Sequence, residues 1–138
     1  MLCDFVSLKP GDVVLQNGAT SGVGKAVIQI AKALGVKTIN IVRDRPDVAQ
    51  TRLDLMCLGA DVVVTESALR NKEEMKGALA AAGIDKKPRL ALNCVGGPLV
   101  GDMVRHLDAK ATVVTYGGMS KKPITLGTGT FHNNVLFR

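Results

Sequence analysis

The spacing of apolar residues changes along the chain in a repeating way. Val13 to Gln16 is a short apolar run behind the turn signal Lys9-Pro10-Gly11-Asp12, which suits a strand buried on both faces. From Val23 the apolar positions fall at Ala26, Val27, Ile30, Ala31 and Leu34, with Lys25, Gln29 and Lys32 on the other side. That spacing predicts an amphipathic helix, stopped by Gly35. Thr38 to Val42 reads as a second strand. Asp44 followed by Pro46 then reads as an N-cap with proline in the first turn, opening a helix whose face is Val48, Ala49, Leu53, Met56 and Cys57, ended by Gly59. Val62 to Val64 is a third strand, Glu73 to Ala82 a third helix and Gly83 its stop. Arg89 to Cys94, Leu99 to Leu107 and Thr112 to Tyr116 read as strand, helix and strand. The stretch from Phe131 to Arg138 is apolar and basic and receives no element.

This alternation of strand and helix, with helix lengths suited to right-handed crossovers, predicts an α/β fold: a doubly wound, Rossmann-type parallel sheet with helices on both faces and strand order 3-2-1-4-5. With 138 residues, 46% hydrophobic and 22% charged, the chain fits a single domain with an ordinary core. It is short for an enzyme that needs one lobe for a cofactor and another for a substrate.

Charge and composition narrow the function classes. Net charge is +6, but the basic residues are dispersed, and aromatics are 3% with no Trp. That favours solvated faces with one or two anion sites over nucleic-acid binding, which needs stacking platforms or a basic stripe. No apolar stretch has membrane-spanning length. Cys3, Cys57 and Cys94 lack a CxxC and are odd in number, which argues for a reducing compartment. His106 and His132 are too isolated for a metal centre, and no metal ligand is assigned.

The strongest chemical signal is Gln16-Asn17-Gly18-Ala19-Thr20-Ser21-Gly22-Val23-Gly24, between the first strand and the first helix. Missing side chains at Gly22 and Gly24 let backbone N–H groups approach a pyrophosphate, and the helix N-terminus adds partial positive charge. Ser21 stands where the tightest GxGxxG has its middle glycine, and a structural turn is the competing account. At the end of the second strand, where NAD-binding domains usually carry an acid for the ribose 2′-hydroxyl, stands Arg43-Asp44-Arg45. Two guanidiniums can hold a 2′-phosphate, so the sequence favours NADP over NAD, the alternative being solvated loop arginines. Asn93-Cys94-Val95-Gly96-Gly97 and Thr115-Tyr116-Gly117-Gly118-Met119 end the fourth and fifth strands. Their glycines either let a dinucleotide lie across the rim or serve as tight turns.

No catalytic residue is assigned. Short-chain dehydrogenases need a Tyr with a Lys four positions later, and four after Tyr116 stands Ser120, with Lys121 one too far. Cys94 is a strand-end thiol, a kind that is usually buried and inert, and neither a GxSxG elbow nor an HExxH motif is present.

Taken together, Asp4 to Asp12, the loop from Gln16 to Gly24, Ile41-Val42-Arg43-Asp44-Arg45-Pro46, Leu92 to Gly97 and Val114 to Lys121 resemble the cofactor domain of the mitochondrial trans-2-enoyl-CoA (enoyl-acyl-carrier-protein) reductases. These belong to the medium-chain dehydrogenase/reductase superfamily. The resemblance implies reduction of the 2,3 double bond of an enoyl thioester, on CoA or acyl carrier protein, by NADPH in mitochondrial fatty-acid synthesis. It implies that Thr20, Ser21, Gly22, Val23 and Gly24 hold the pyrophosphate, Arg43, Asp44 and Arg45 the 2′-phosphorylated adenosine, and Tyr116, Gly117, Gly118 and Met119 the nicotinamide half. It also implies an N-terminal catalytic lobe with an acid Tyr, and a C-terminal completion, neither of which matches residues here. On this reading, residues 1–138 are one NADPH-binding domain, inactive alone, without a targeting segment and with homodimerisation through an exposed sheet edge. A stand-alone NADPH-binding regulatory module is the alternative.

Overall fold

The computed structural model describes residues 7–118, 120–124, 126 and 135–138. Its sheet has the order β3-β2-β1-β4-β5-β6, and every pairing is parallel. The strands are β1 Val13–Gln16, β2 Lys37–Val42, β3 Val62–Thr65, β4 Leu90–Asn93, β5 Thr112–Thr115 and β6 Leu136–Phe137. The doubly wound α/β fold expected from the sequence is therefore present. It is extended by one strand where the sequence pattern marked no element. β6 sits on β5, with Thr112 opposite Leu136 and Val113 opposite Phe137, so β5 is not the sheet edge.

The helices are α1 Gly22–Leu34, α2 Val48–Leu58, α3 Glu66–Arg70, α4 Lys72–Ala81 and α5 Leu99–Val104. Val14, Val27, Ala31, Leu90 and Leu92 form part of the core beneath α1, and Ile28, Val42, Leu55 and Val63 part of that beneath α2. On the opposite face Leu15, Ile41, Leu69, Met75, Val100, Met103 and Val113 meet α3, α4 and α5. β1 and β4 are buried at every position, as the continuous apolar runs of a two-sided parallel sheet require.

Three expectations are corrected. Asp44 does not cap α2. The Arg45 carbonyl accepts from Val48 N, which makes a turn of the Pro46 segment and moves the helix start to Asp47, whose side chain makes no capping bond. The expected apolar face of α2 holds at Val48 but not at Ala49, Leu53, Met56 and Cys57, which are exposed. Leu53 is 59% and Met56 49% exposed whereas Leu55 is 1% exposed, and Val48 and Leu58 pack beside Leu55. The inward stripe is thus buried Leu55 with half-buried Val48 and Leu58. Finally, α5 stops at Val104 rather than Leu107. His106 N and Leu107 N bond to Met103 and Val104, a tighter turn that still buries Leu107.

Because all strands run the same way, the carboxyl ends of β1, β2, β4 and β5 share one rim. The chain winds outward in opposite directions on either side of β1, which opens a crevice there.

Candidate functional site at the carboxyl rim of the sheet

The turn from β1 into α1 is built around two glycines with different jobs. A methyl group at Gly24 would lie 2.5 Å from the Gly18 carbonyl oxygen and 2.8 Å from Ala19 Cα. Gly24 is therefore what lets the helix approach the strand. A methyl at Gly22 would meet nothing within 4 Å, so that position faces open space. Ser21 is the N-cap of α1: its Oγ accepts from Gly24 N at 3.1 Å and donates to the Gly18 carbonyl at 2.7 Å. Lys25 N bonds to the Ser21 carbonyl. Among the described residues, the Gly22 and Val23 N–H groups have no protein acceptor, and they stand where the helix dipole is positive. Exposed Thr20 flanks them.

A cleft of about 200 Å³ opens between this turn and the end of β2. Thr20, Ser21, Arg43, Arg45, Thr51 and Glu66 are among its walls. Neither Arg43 nor Arg45 forms an ion pair among the described residues. Asp44 points elsewhere: its Oδ2 accepts from Ser67 N at 3.1 Å, and its Oδ1 accepts from Ser67 Oγ. The Ser67 hydroxyl, followed by the Ser67 N–H, holds the Asp44 carboxyl below its ordinary range. The short α3 that supplies Ser67 gave no sign in the sequence pattern. Its own cap is Thr65, whose Oγ1 accepts from Ala68 N at 3.1 Å.

Two residues that sequence reasoning missed set the shape of the rim. Asn17 Nδ2 donates to Asn93 Oδ1 at 2.8 Å, while Asn17 Oδ1 accepts from Cys94 N at 2.7 Å and Val95 N at 3.2 Å. Asn93 Oδ1 also accepts from Gly96 N, and Asn93 Nδ2 donates to Thr115 Oγ1. Both asparagines are fully buried. A chain of amides thus ties the ends of β1, β4 and β5 together, with each polar group partnered as burial demands. The only hint in the sequence is an asparagine at the end of two apolar runs.

Of the two Gly-Gly loops, the first is a tight turn. Gly96 and Gly97 have φ of +76° and +71°, and a methyl on either would face Ser120 or Lys122 of the neighbouring loop. Ser120 N bonds to the Val95 carbonyl at 2.9 Å, so the loops after β4 and β5 close on each other. Gly117 lies against Cys94, whereas a methyl at Gly118 would meet none of the described residues within 4 Å. Met119 lies outside the described residues.

Tyr116 packs against the core beneath α1. Its hydroxyl is sealed from solvent without a partner in hydrogen-bond geometry, although Ser21 and Cys94 are its neighbours. Burial, followed by the Cys94 thiol, pushes its pKa up to about 12 from an ordinary 10. Tyr116 is the only tyrosine and there is no tryptophan, so its titration can be read from phenolate absorbance alone. The native midpoint is expected near 12 and the midpoint in urea near the free value; coincident midpoints would show an open ring site. The unfolded chain sheds this proton first, so this residue's contribution to stability falls as pH rises between those two values.

Residues 22–137 match the family described as zinc-binding dehydrogenase. The chain belongs to that family. The described residues of this dehydrogenase-family chain contain no group of three or more His, Cys, Asp or Glu able to converge on a metal. They do not fit the zinc of the family's name. The chain is 55% identical over 126 residues to the mitochondrial enoyl-acyl-carrier-protein reductase of Xenopus tropicalis, covering 91% of this chain and 35% of that protein. It is 50% identical over 131 residues to the Arabidopsis thaliana enzyme of the same name, covering 95% of this chain and 34% of that protein. The chain therefore spans about a third of the curated relatives it matches. A solved complex of Etr1p with NADP and crotonyl-CoA superposes with TM-score 0.89 at 38% identity, over 99% of this chain and 38% of that one. The Etr1p/Etr2p heterodimer of Candida tropicalis, a mitochondrial 2-enoyl thioester reductase, gives TM-score 0.88 at 38% identity, with the same coverage. No helix among the described residues is long and apolar enough to cross a membrane.

Proposed function

We propose that this chain is the NADPH-binding half of an enoyl thioester reductase, the enzyme that converts trans-2-enoyl-CoA or enoyl-acyl-carrier-protein to the saturated thioester. The observation that carries the reading is the pair of guanidiniums, Arg43 and Arg45, which form no ion pair among the described residues and line a cleft whose wall at the β1–α1 turn is Thr20 and Ser21, next in the chain to the Gly22 and Val23 N–H groups. That spacing of cations and backbone donors suits a 2′-phosphate at one end and a pyrophosphate at the other. Ser21 acts there through its capping bond to Gly24, and Gly24 through close packing. Thr20 borders the anion, and Asp44 orders the arginine loop. The nicotinamide half is assigned to Tyr116, Gly117, Gly118 and Met119, the last outside the described residues; a methyl on Gly118 would meet no described residue within 4 Å, which leaves room for the ring.

When bound, NADPH supplies a hydride equivalent to Cβ of the enoyl thioester. The proton for Cα has to come from an acid that the described residues do not offer. A buried phenol that holds its proton as tightly as Tyr116 does would be a poor donor. The relatives' mitochondrial names support a mitochondrial setting, and the Candida heterodimer supports pairing of two such chains.

Fluorescence titration with NADPH and NADH, followed by NADPH oxidation with crotonyl-CoA, tests the proposal. Saturable binding that favours NADPH is expected, with no crotonyl-CoA-dependent oxidation by these residues alone. Failure to bind either nucleotide would remove the reading; turnover would show that an acid is present in this chain after all.

A further inference from the structure

The segment Arg43-Asp44-Arg45 sets a carboxylate between two guanidiniums. An unrestrained Asp44 has two easy fates. It can pair with either arginine and cancel its charge, or it can turn to the cleft and accept a ribose 2′-hydroxyl while repelling a 2′-phosphate. The structure takes neither course. Both Asp44 oxygens are held across the rim by Ser67, one by the backbone N–H at 3.1 Å and the other by the hydroxyl. No cation holds the carboxylate there: the nearby Arg70 bonds instead to Asp102 at 2.7 Å, and Asp44 forms no ion pair among the described residues. Among the described residues Arg43 and Arg45 form no ion pair, and both line the cleft.

We propose that Ser67 is a positioning residue for cofactor choice: by holding the Asp44 carboxylate on the turn from β3 into α3, it keeps Arg43 and Arg45 available for a 2′-phosphate. This rests on the NADPH reading above and goes beyond it by assigning the preference to a residue that does not touch the cofactor. Acidic and basic groups so close in sequence behave as separate sites because the Ser67 hydroxyl and N–H, 23 residues further on, keep them apart. The low pKa of Asp44, for which the Ser67 hydroxyl is the largest cause, agrees with a carboxylate that stays charged and bonded at neutral pH.

The test measures dissociation constants of NADPH and NADH for the wild-type chain, Ser67→Ala, Ser67→Thr and the double variant Ser67→Ala with Asp44→Asn. In Ser67→Ala, NADPH is expected to weaken by about tenfold, the factor lost with roughly one charge-assisted hydrogen bond, while NADH holds or tightens. Ser67→Thr retains the hydroxyl and should keep the wild-type ratio. Adding Asp44→Asn to Ser67→Ala removes the competing charge and should recover most of the NADPH affinity. A residue that merely supports the fold would weaken both nucleotides together, and Asp44→Asn would not rescue it; either result overturns the proposal. Thermal melts of the four proteins verify that each is folded. A wild-type chain that prefers NADPH beside a Ser67→Ala variant with the same preference would sink this inference alone. A wild-type chain that binds neither nucleotide would sink the parent reading with it.

Discussion

Gly24→Ala is expected to destabilise the protein by about 3 kcal/mol, the upper end of what an extra buried methylene costs, and to lower Tm by roughly 10 °C. The reason is what the new methyl would strike. Its nearest neighbours are the Gly18 carbonyl oxygen and two Ala19 backbone atoms, all within 2.8 Å, and none of these can rotate aside as a side chain could. The matching change at Gly22 should do the reverse. Its methyl points into open space, and alanine in the first helical turn lowers the entropy of the unfolded chain, so Tm should hold or rise slightly. If an anion lies against the Gly22 and Val23 N–H groups, a methyl at this position crowds it, and NADPH affinity should fall by more than about tenfold, the loss of one well-made hydrogen bond to a charged group. Calorimetry and NADPH titration on the two variants separate the roles. Equal melting temperatures would refute the packing account of Gly24, and unaltered NADPH binding by Gly22→Ala would refute the anion site.

The arginines give the second large effect. Replacing Arg43 or Arg45 by alanine removes a charge-assisted bond to phosphate worth about 1.5 to 3 kcal/mol, or roughly 10- to 150-fold in NADPH affinity. NADH has no 2′-phosphate to lose, so its affinity should change little. Both arginines are exposed, and their attraction for phosphate is accordingly screened. Raising ionic strength should therefore weaken NADPH more than NADH in the wild-type chain and lose that difference in the double variant. Equal losses for both nucleotides would remove the assignment of the 2′-phosphate to this loop.

Much of this site is legible in the sequence because its signals are local. The run from Val13 to Gln16, the glycine turn and the helical period from Val23 lie within some twenty residues, and the strand order follows from the alternation of elements. What the sequence conceals is decided at long range. Asp44 followed by Pro46 is a fair local cap signal, yet its carboxylate bonds to Ser67 instead, and a residue in hydrogen-bond reach from another element outweighs a weak local preference. On α2, Leu53 and Met56 look like core by type; the helix turns the stripe with Leu55 inward instead, because that is the side facing Ile28 and Val63. The five residues of α3 and the two of β6 are too short to display a period. Asn17 and Asn93 become partners only through folding, 76 positions apart.

That last pairing also bears on how the molecule ages. Asn17 precedes Gly18, and an asparagine followed by glycine is the sequence most prone to lose its amide, by attack of the next backbone nitrogen on the side-chain carbonyl carbon. In the folded protein the Asn17 carboxamide is held from both ends, its oxygen by Cys94 N and Val95 N and its nitrogen by Asn93 Oδ1 and Met103 Sδ. It cannot swing onto its neighbour without giving up those bonds. The same four contacts that shape the rim thus shield it from chemical decay. A chain that spends time unfolded exposes the weak point and converts Asn17 to an acid. That acid can no longer donate to Asn93, so the damage would be recorded as a failure of this rim to close on refolding.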